Sequence, residues 1–174
     1  MTGQNAWATI TGSGTLTDPY MINSDADWET FASWINNSST NSTYRSKYYK
    51  LGTDINVSTM VGTSSLYFAG TFDGDGHTMT ANLQNDDPNV EGVAPFHYTC
   101  AEIRNLNVTG TITSAGKYAG GLVGFAVKGT KIYDCVVTAT ITTSADYPGG
   151  FFGIIYGDNT PSVSFENCVF AGTI

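Results

Sequence analysis

Two short acidic stretches hold the residue types that could do chemistry. Asp73, Asp75 and His77 lie in DGDGH, and Asp86 and Asp87 in NDDPN. Hydrolysis of a glycosidic bond needs two carboxyl groups at a defined separation across a sugar-binding cleft, and these four aspartates are the candidates for that pair. The same oxygens could hold Ca²⁺, although their spacing is not that of an EF-hand loop. The competing reading is structural: aspartates between glycines make a tight turn, and DDPN makes an exposed loop. No spacing brings the two stretches together, so the structural reading takes precedence, and no catalytic residue and no cofactor is assigned. His77 and His97 are the only histidines, which leaves no His-rich zinc site. Gly-x-Ser-x-Gly, phosphate-binding loops and dinucleotide-binding glycine patterns are absent from the sequence.

Two further sets could bind without reacting. Thr109, Thr111 and Thr113 match Thr138, Thr140 and Thr142 in type and spacing, with Thr173 in the place of Thr111 and Thr140. On stacked strands they would make a flat grid of the kind that binds ice, although threonine also simply suits a solvated strand face. Tyr44, Tyr48, Tyr49, Tyr118, Tyr133, Tyr147 and Tyr156 are many tyrosines for an acidic chain, and exposed tyrosine rings stack on sugars or pack on protein partners. Tyr118, Tyr133, Thr109, Thr111, Thr138 and Thr140 are the candidate binding residues.

The elements that must position these side chains form a repeat. AEIRNLNVTGTITS (101–114), KIYDCVVTATITT (131–143) and VSFENCVFAGTI (163–174) share one template: apolar, any, Asn or Asp, apolar, any, apolar, any, small, any, Ile. Ile103, Ile132 and Phe165 open the copies, 29 and 33 residues apart, and the extra length is placed in YGDNTPSVS (156–164) as an added turn. Val137, Ala139 and Ile141 alternate with Thr138, Thr140 and Thr142, the period of a strand with its apolar side inward. Asn105, Asp134 and Asn167 interrupt the alternation and predict a turn, with side chains stacked as a ladder. GGLVG (120–124) and GGFFG (149–153) recur 29 residues apart. Their glycines are expected to turn corners at positive φ. A coil of this length suits a parallel β-solenoid that grows by stacking.

SDADWETFASWI (24–35) has Ser24 and Asp27 at capping-box spacing and Trp28, Phe31, Ala32 and Ile35 at helical spacing. The chain therefore divides into an N-terminal segment, 1–47, with a capping helix over 25–36, and β-solenoid coils over 48–174. Ile174 falls inside an apolar alternation, so the coils are expected to be cut short there, with end-to-end self-association as the consequence of an uncovered edge.

The net charge is −8, from 7 Lys and Arg against 15 Asp and Glu. That balance argues against nucleic acid and anionic membranes as partners. No apolar run reaches the ~18 residues of a membrane span. No signal peptide is read in the chain, and three cysteines fit no disulfide framework and are read as core residues.

GGLVG with IYDCVVTATI, and GGFFG with FENCVFAGTI, resemble the GLUG-type repeats of bacterial extracellular proteins, and GTFDGDGHTM is similar to the turn that often precedes them. GSGTLTDPYMINSDADWETFASWI (12–35) is similar to the opening segment of the same proteins. The resemblance implies an all-β fold, a right-handed parallel β-helix, in an extracellular or cell-surface protein of adhesin-like type, with a host or matrix glycan or protein as partner. It carries no catalytic residues. The chain departs from the pattern at Asp75, where the family often has Asn, and at VAPFHYT (93–99), which replaces a glycine-flanked pair.

Overall fold

The computed structural model describes residues 10–156 and 163–174. Short alternating runs become short strands, laid down in successive passes. β1 (Tyr20–Ile22) precedes α1 (Asp25–Asn36) and the one-turn α2 (Asn41–Tyr44). β2 (Tyr48–Leu51) and β3 (Ile55–Val57) form the next pass. β4 (Thr71–Asp73), β5 (Thr78–Asn85) and β6 (Phe96–Thr99) follow, then β7 (Glu102–Arg104), β8 (Asn107–Ser114) and β9 (Val123–Val127). β10 (Lys131–Tyr133), β11 (Val136–Val137), β12 (Thr140–Thr143) and β13 (Phe152–Tyr156) repeat the order, and β14 (Ser164–Glu166) and β15 (Val169–Phe170) come last. The added turn expected at 156–164 lies, over 157–162, outside the described residues.

The strands join in three parallel sheets. The first runs β1-β2-β4-β7-β10-β14, the second β15-β11-β8-β5-β3 with β12 beside β8, and the third β13-β9-β6. Pairing follows the repeat: Ile132 faces Ile103 on one side and Phe165 on the other, and Val137 faces Val108 and Phe170.

The expected right-handed parallel β-helix, a β-solenoid with a capping helix, is corrected by this topology. The chain forms three separate sheets of six, six and three strands, none of them closed or curled into a solenoid. The inequality has a local cause. The third sheet has strands in three passes, while the stretch between β3 and β4 contributes only the isolated bridges Val61–Phe96 and Phe68–Thr99 among the described residues. Between β1 and β2 the chain forms α1 and α2 instead of a strand.

α1 begins where Ser24 accepts a hydrogen bond from the Asp27 amide (3.1 Å) and Asp27 in turn accepts from the Asn23 amide (2.9 Å). This reciprocal cap satisfies two amides that the helix itself cannot. Its buried face, Trp28, Phe31, Ala32 and Ile35, enters the same core as Phe68, Phe72 and Phe96. Trp28 meets Phe72 and Phe96 edge-on at 5.9 and 5.6 Å, and its indole N–H donates to the Thr59 carbonyl (2.9 Å). Edge-to-face contacts of this kind add to the area term.

The corners differ from expectation. Asn105, Asp134 and Asn167 do turn the chain, at φ +50°, +54° and +51°, the left-handed region that Asn and Asp tolerate best. Their side chains form no continuous ladder: Asn167 donates to Asp134 (3.3 Å), and Asn105 donates to Asp73 (3.0 Å). Gly120, Gly121, Gly124, Gly149, Gly150 and Gly153 are not among the residues at positive φ; Tyr118 (+63°) and Tyr147 (+67°) are. The glycines serve close approach instead. A β-carbon on Gly121 would collide with the carbonyl oxygen of Gly150, and one on Gly153 with that of Tyr118.

Candidate functional site

The four aspartates do not converge. Asp73 ends β4 and Asp75 follows it at φ +50°, whereas Asp86 and Asp87 lie just beyond β5. The eight residues of β5 stand between the pairs, and at ~3.3 Å per residue they separate them by roughly 25 Å. A glycosidase pair must lie within about 10 Å, so one carboxylate from each stretch cannot make it. Each carboxylate also has local partners. Asp73 accepts from Arg104 Nε (2.9 Å), Asn105 Nδ2 (3.0 Å) and the Asp75 amide (2.9 Å). Partial burial pushes its carboxyl up, but these bonds together outweigh that and hold it below the ordinary carboxylate range. Asp75 pairs with Lys50 Nζ at 3.0 Å. Asp86 accepts from Gln84 Nε2, and Asp87 from the amide and side chain of Asn89, which lower its carboxyl.

The histidines are likewise engaged. His77 Nδ1 lies 3.3 Å from Asp54 Oδ1, which also accepts from the Thr78 amide. His97 Nε2 lies 2.8 Å from the Glu91 carbonyl, and burial lowers its pKa. Among the described residues, no three His, Cys, Asp or Glu side chains gather as a metal site.

The threonines lie in register on the second sheet. Thr109 faces Thr80, Thr111 faces Asn82 and Thr140, Thr113 faces Gln84 and Thr142, and Thr140 bridges to Thr173. Thr111, Thr138, Thr140, Thr142 and Thr173 are exposed, and Thr109 and Thr113 half-buried. Alternation puts Met79, Ala81, Leu83, Val108 and Ile112 on the buried side of the same strands.

A cavity lies along the third sheet, at residues the repeat pattern does not mark. Pairing of β6 with β9 sets Tyr98 directly beside Phe125, and their rings stack at 4.2 Å with planes 5° apart. Parallel strands ~4.8 Å apart bring side chains in one register to stacking distance. Beside this pair a groove of about 550 Å³ opens between Tyr67 and Tyr156, with Glu91 and Lys128 also lining it. Its size falls in the range of small-ligand sites. Tyr156 is 65% exposed, and the Arg45 guanidinium lies 4.3 Å from the centre of the Tyr67 ring. Burial, and the nearby Glu91 carboxylate, raise the Tyr98 hydroxyl above the ordinary tyrosine range, so at neutral pH it is a donor.

Of the two candidate tyrosines, Tyr118 borders this region: its ring stacks on Tyr147 (5.5 Å, 16°) and meets Phe125 edge-on at 6.0 Å. Tyr133 lies on β10 of the first sheet, beside Glu102 and Arg104, so the fold does not join it to Tyr118. Tyr98 escaped the sequence reading because VAPFHYT departs from the glycine pattern, and Tyr67 and Phe125 because they lie outside the repeat template. Aligning Phe96 with Val123 would have placed Tyr98 on Phe125.

Residues 115–142 match the family model of the GLUG motif, so the stretch that follows β8 and runs through β9, β10 and β11 into β12 carries a GLUG-type repeat. Comparisons with curated proteins and with solved structures find no match.

Proposed function

We propose that this chain is a non-catalytic recognition module of a secreted or cell-surface bacterial protein of adhesin type, and that the groove along the third sheet takes a sugar ring of a glycan. The coarser part rests on the GLUG motif, which points to an extracellular module and is not an enzyme family. The finer part rests on one observation: the stacked Tyr98–Phe125 pair bordered by Tyr67 and the exposed Tyr156. Flat aromatic faces with polar tips suit a sugar, whose C–H face is apolar and whose edge is hydroxylated. The groove brings one acid, Glu91, and one base, Lys128, while the chain carries a net charge of −8. A neutral glycan is favoured over an anionic one on that ground.

The experiment is a glycan array with and without Ca²⁺, with every hit followed for product release as well as retention. Retained, unmodified glycan that is lost in Tyr156→Ala supports the reading. Cleaved glycan would overturn the non-catalytic part, and retention unchanged in Tyr156→Ala would overturn the groove.

A second reading, ice binding, is favoured by the register of Thr111, Thr140 and Thr173 on the exposed face of the second sheet. Inhibition of ice recrystallisation that Thr140→Lys abolishes would support it, and no inhibition by the unaltered protein would end it.

A further inference from the structure

Cys135 and Cys168 occupy the same position of two successive repeat copies. The pairs on both sides of them, Tyr133 with Glu166 and Val136 with Val169, are in parallel register. Between those pairs the Val169 amide donates to the Cys135 carbonyl (3.0 Å), and the Asp134 amide to the Glu166 carbonyl (3.2 Å). Neighbouring strands run ~4.8 Å apart, inside the 4.4–6.8 Å range of Cα separations that disulfides span. Both cysteines are unbridged. Cys135 is fully buried and Cys168 half-buried.

From this stacking we infer that Cys135 and Cys168 form an intrachain disulfide that staples the last pass of the chain to the one before it. Among the described residues β14 pairs with β10 and β15 with β11, and the bond would add a covalent link to this hydrogen-bonded pairing.

A small disulfide, RSSR, is the oxidant. Cys168, the more accessible thiol, loses its proton and attacks one sulfur of RSSR, forming a mixed disulfide and releasing RSH. The Cys135 thiol then gives up its proton, attacks Cys168 Sγ and displaces the second RSH. Two protein thiols are oxidised and one RSSR is reduced to two RSH. Burial pushes the Cys135 thiol up to about 12, so the closing step is the slow one. Cys100 lies apart, at the end of β6 beside the groove.

The test is incubation of the folded protein with oxidised glutathione, followed by intact-mass measurement and proteolytic mapping. The expected result is loss of the two thiol hydrogens, one crosslinked peptide pair joining 135 to 168, and a melting temperature raised on the order of 10 °C. Cys100→Ser should oxidise in the same way, and Cys168→Ser, checked for folding by circular dichroism, should not. A mass that does not fall after prolonged oxidation, a stable glutathione adduct at Cys168, a bond to Cys100, or a crosslink between two chains would each overturn the staple.

Discussion

Gly121 lies directly against the carbonyl oxygen of Gly150 on the adjoining pass, so close that no β-carbon fits between them. The same β-carbon would also press on Val137 Cγ1, at 2.6 Å. Five of the six glycines in the two clusters are thus explained by close packing on a backbone oxygen, and the sixth, Gly150, by the Phe170 ring against it.

Gly121→Ala should therefore destabilise the fold by about 2–3 kcal/mol, the cost of forcing atoms into a packed interior. Urea unfolding measures it as a lower midpoint with an unchanged slope. Gly76→Ala is the comparison: it meets no atom within 4 Å but sits at φ +81°, and should cost about 1–2 kcal/mol through backbone strain alone.

Trp28 is fully buried among Phe31, Phe72 and Phe96. Trp28→Ala should cost about 3–5 kcal/mol, read by the same unfolding experiment. A loss below about 1 kcal/mol would mean that α1 does not share the core of the sheets.

Asp73 has its folded-state carboxyl lowered by Asn105, the Asp75 amide and Arg104 against the opposing effect of burial. A depressed folded pKa contributes stability that is present above the unfolded value of about 3.9 and disappears as pH falls through the folded value. Asp73→Ala should accordingly be less stable than the unaltered protein at neutral pH, and the gap should close below about pH 4. Thermal melts of both proteins across pH 2–7 check this. A gap independent of pH would show that Asp73 acts by packing alone.

In the groove, Tyr98→Ala and Tyr156→Ala should each weaken glycan binding about tenfold, the equivalent of one lost aromatic stack. Tyr156 is mostly exposed, so its loss should leave stability within about 0.5 kcal/mol. Tyr133→Ala, on the first sheet, should leave binding unchanged. Isothermal titration with a glycan retained on the array separates these outcomes.

Much of the secondary structure was legible along the chain because it depends on near neighbours. The cap at Ser24 and Asp27 and the spacing of Trp28, Phe31, Ala32 and Ile35 describe α1 without reference to the rest of the protein. The repeat template pairs Ile103 with Ile132 and Phe165 because in-register parallel strands set like beside like. Asn105, Asp134 and Asn167 mark corners because few other side chains tolerate left-handed backbone.

What only the tertiary structure decided concerns residues far apart in sequence. Asp73 and Asp86 are separated by the length of β5, a straight distance that spacing alone does not convert into geometry. The groove depends on Tyr67, Phe125 and Tyr156 arriving from three passes of the chain, and no local period encodes that meeting. Whether the passes close into one solenoid or remain three open sheets turns on how segments between strands pair, and the stretch from β3 to β4 forms bridges where a strand would have extended the third sheet. Local sequence therefore determined strands, helix, register and the Asn and Asp corners, through backbone preference and side-chain period, but not the glycine clusters, which serve close approach instead. Sheet closure, the separation of the carboxylates and the assembly of the aromatic groove were decided by contacts between passes, where packing sets the outcome.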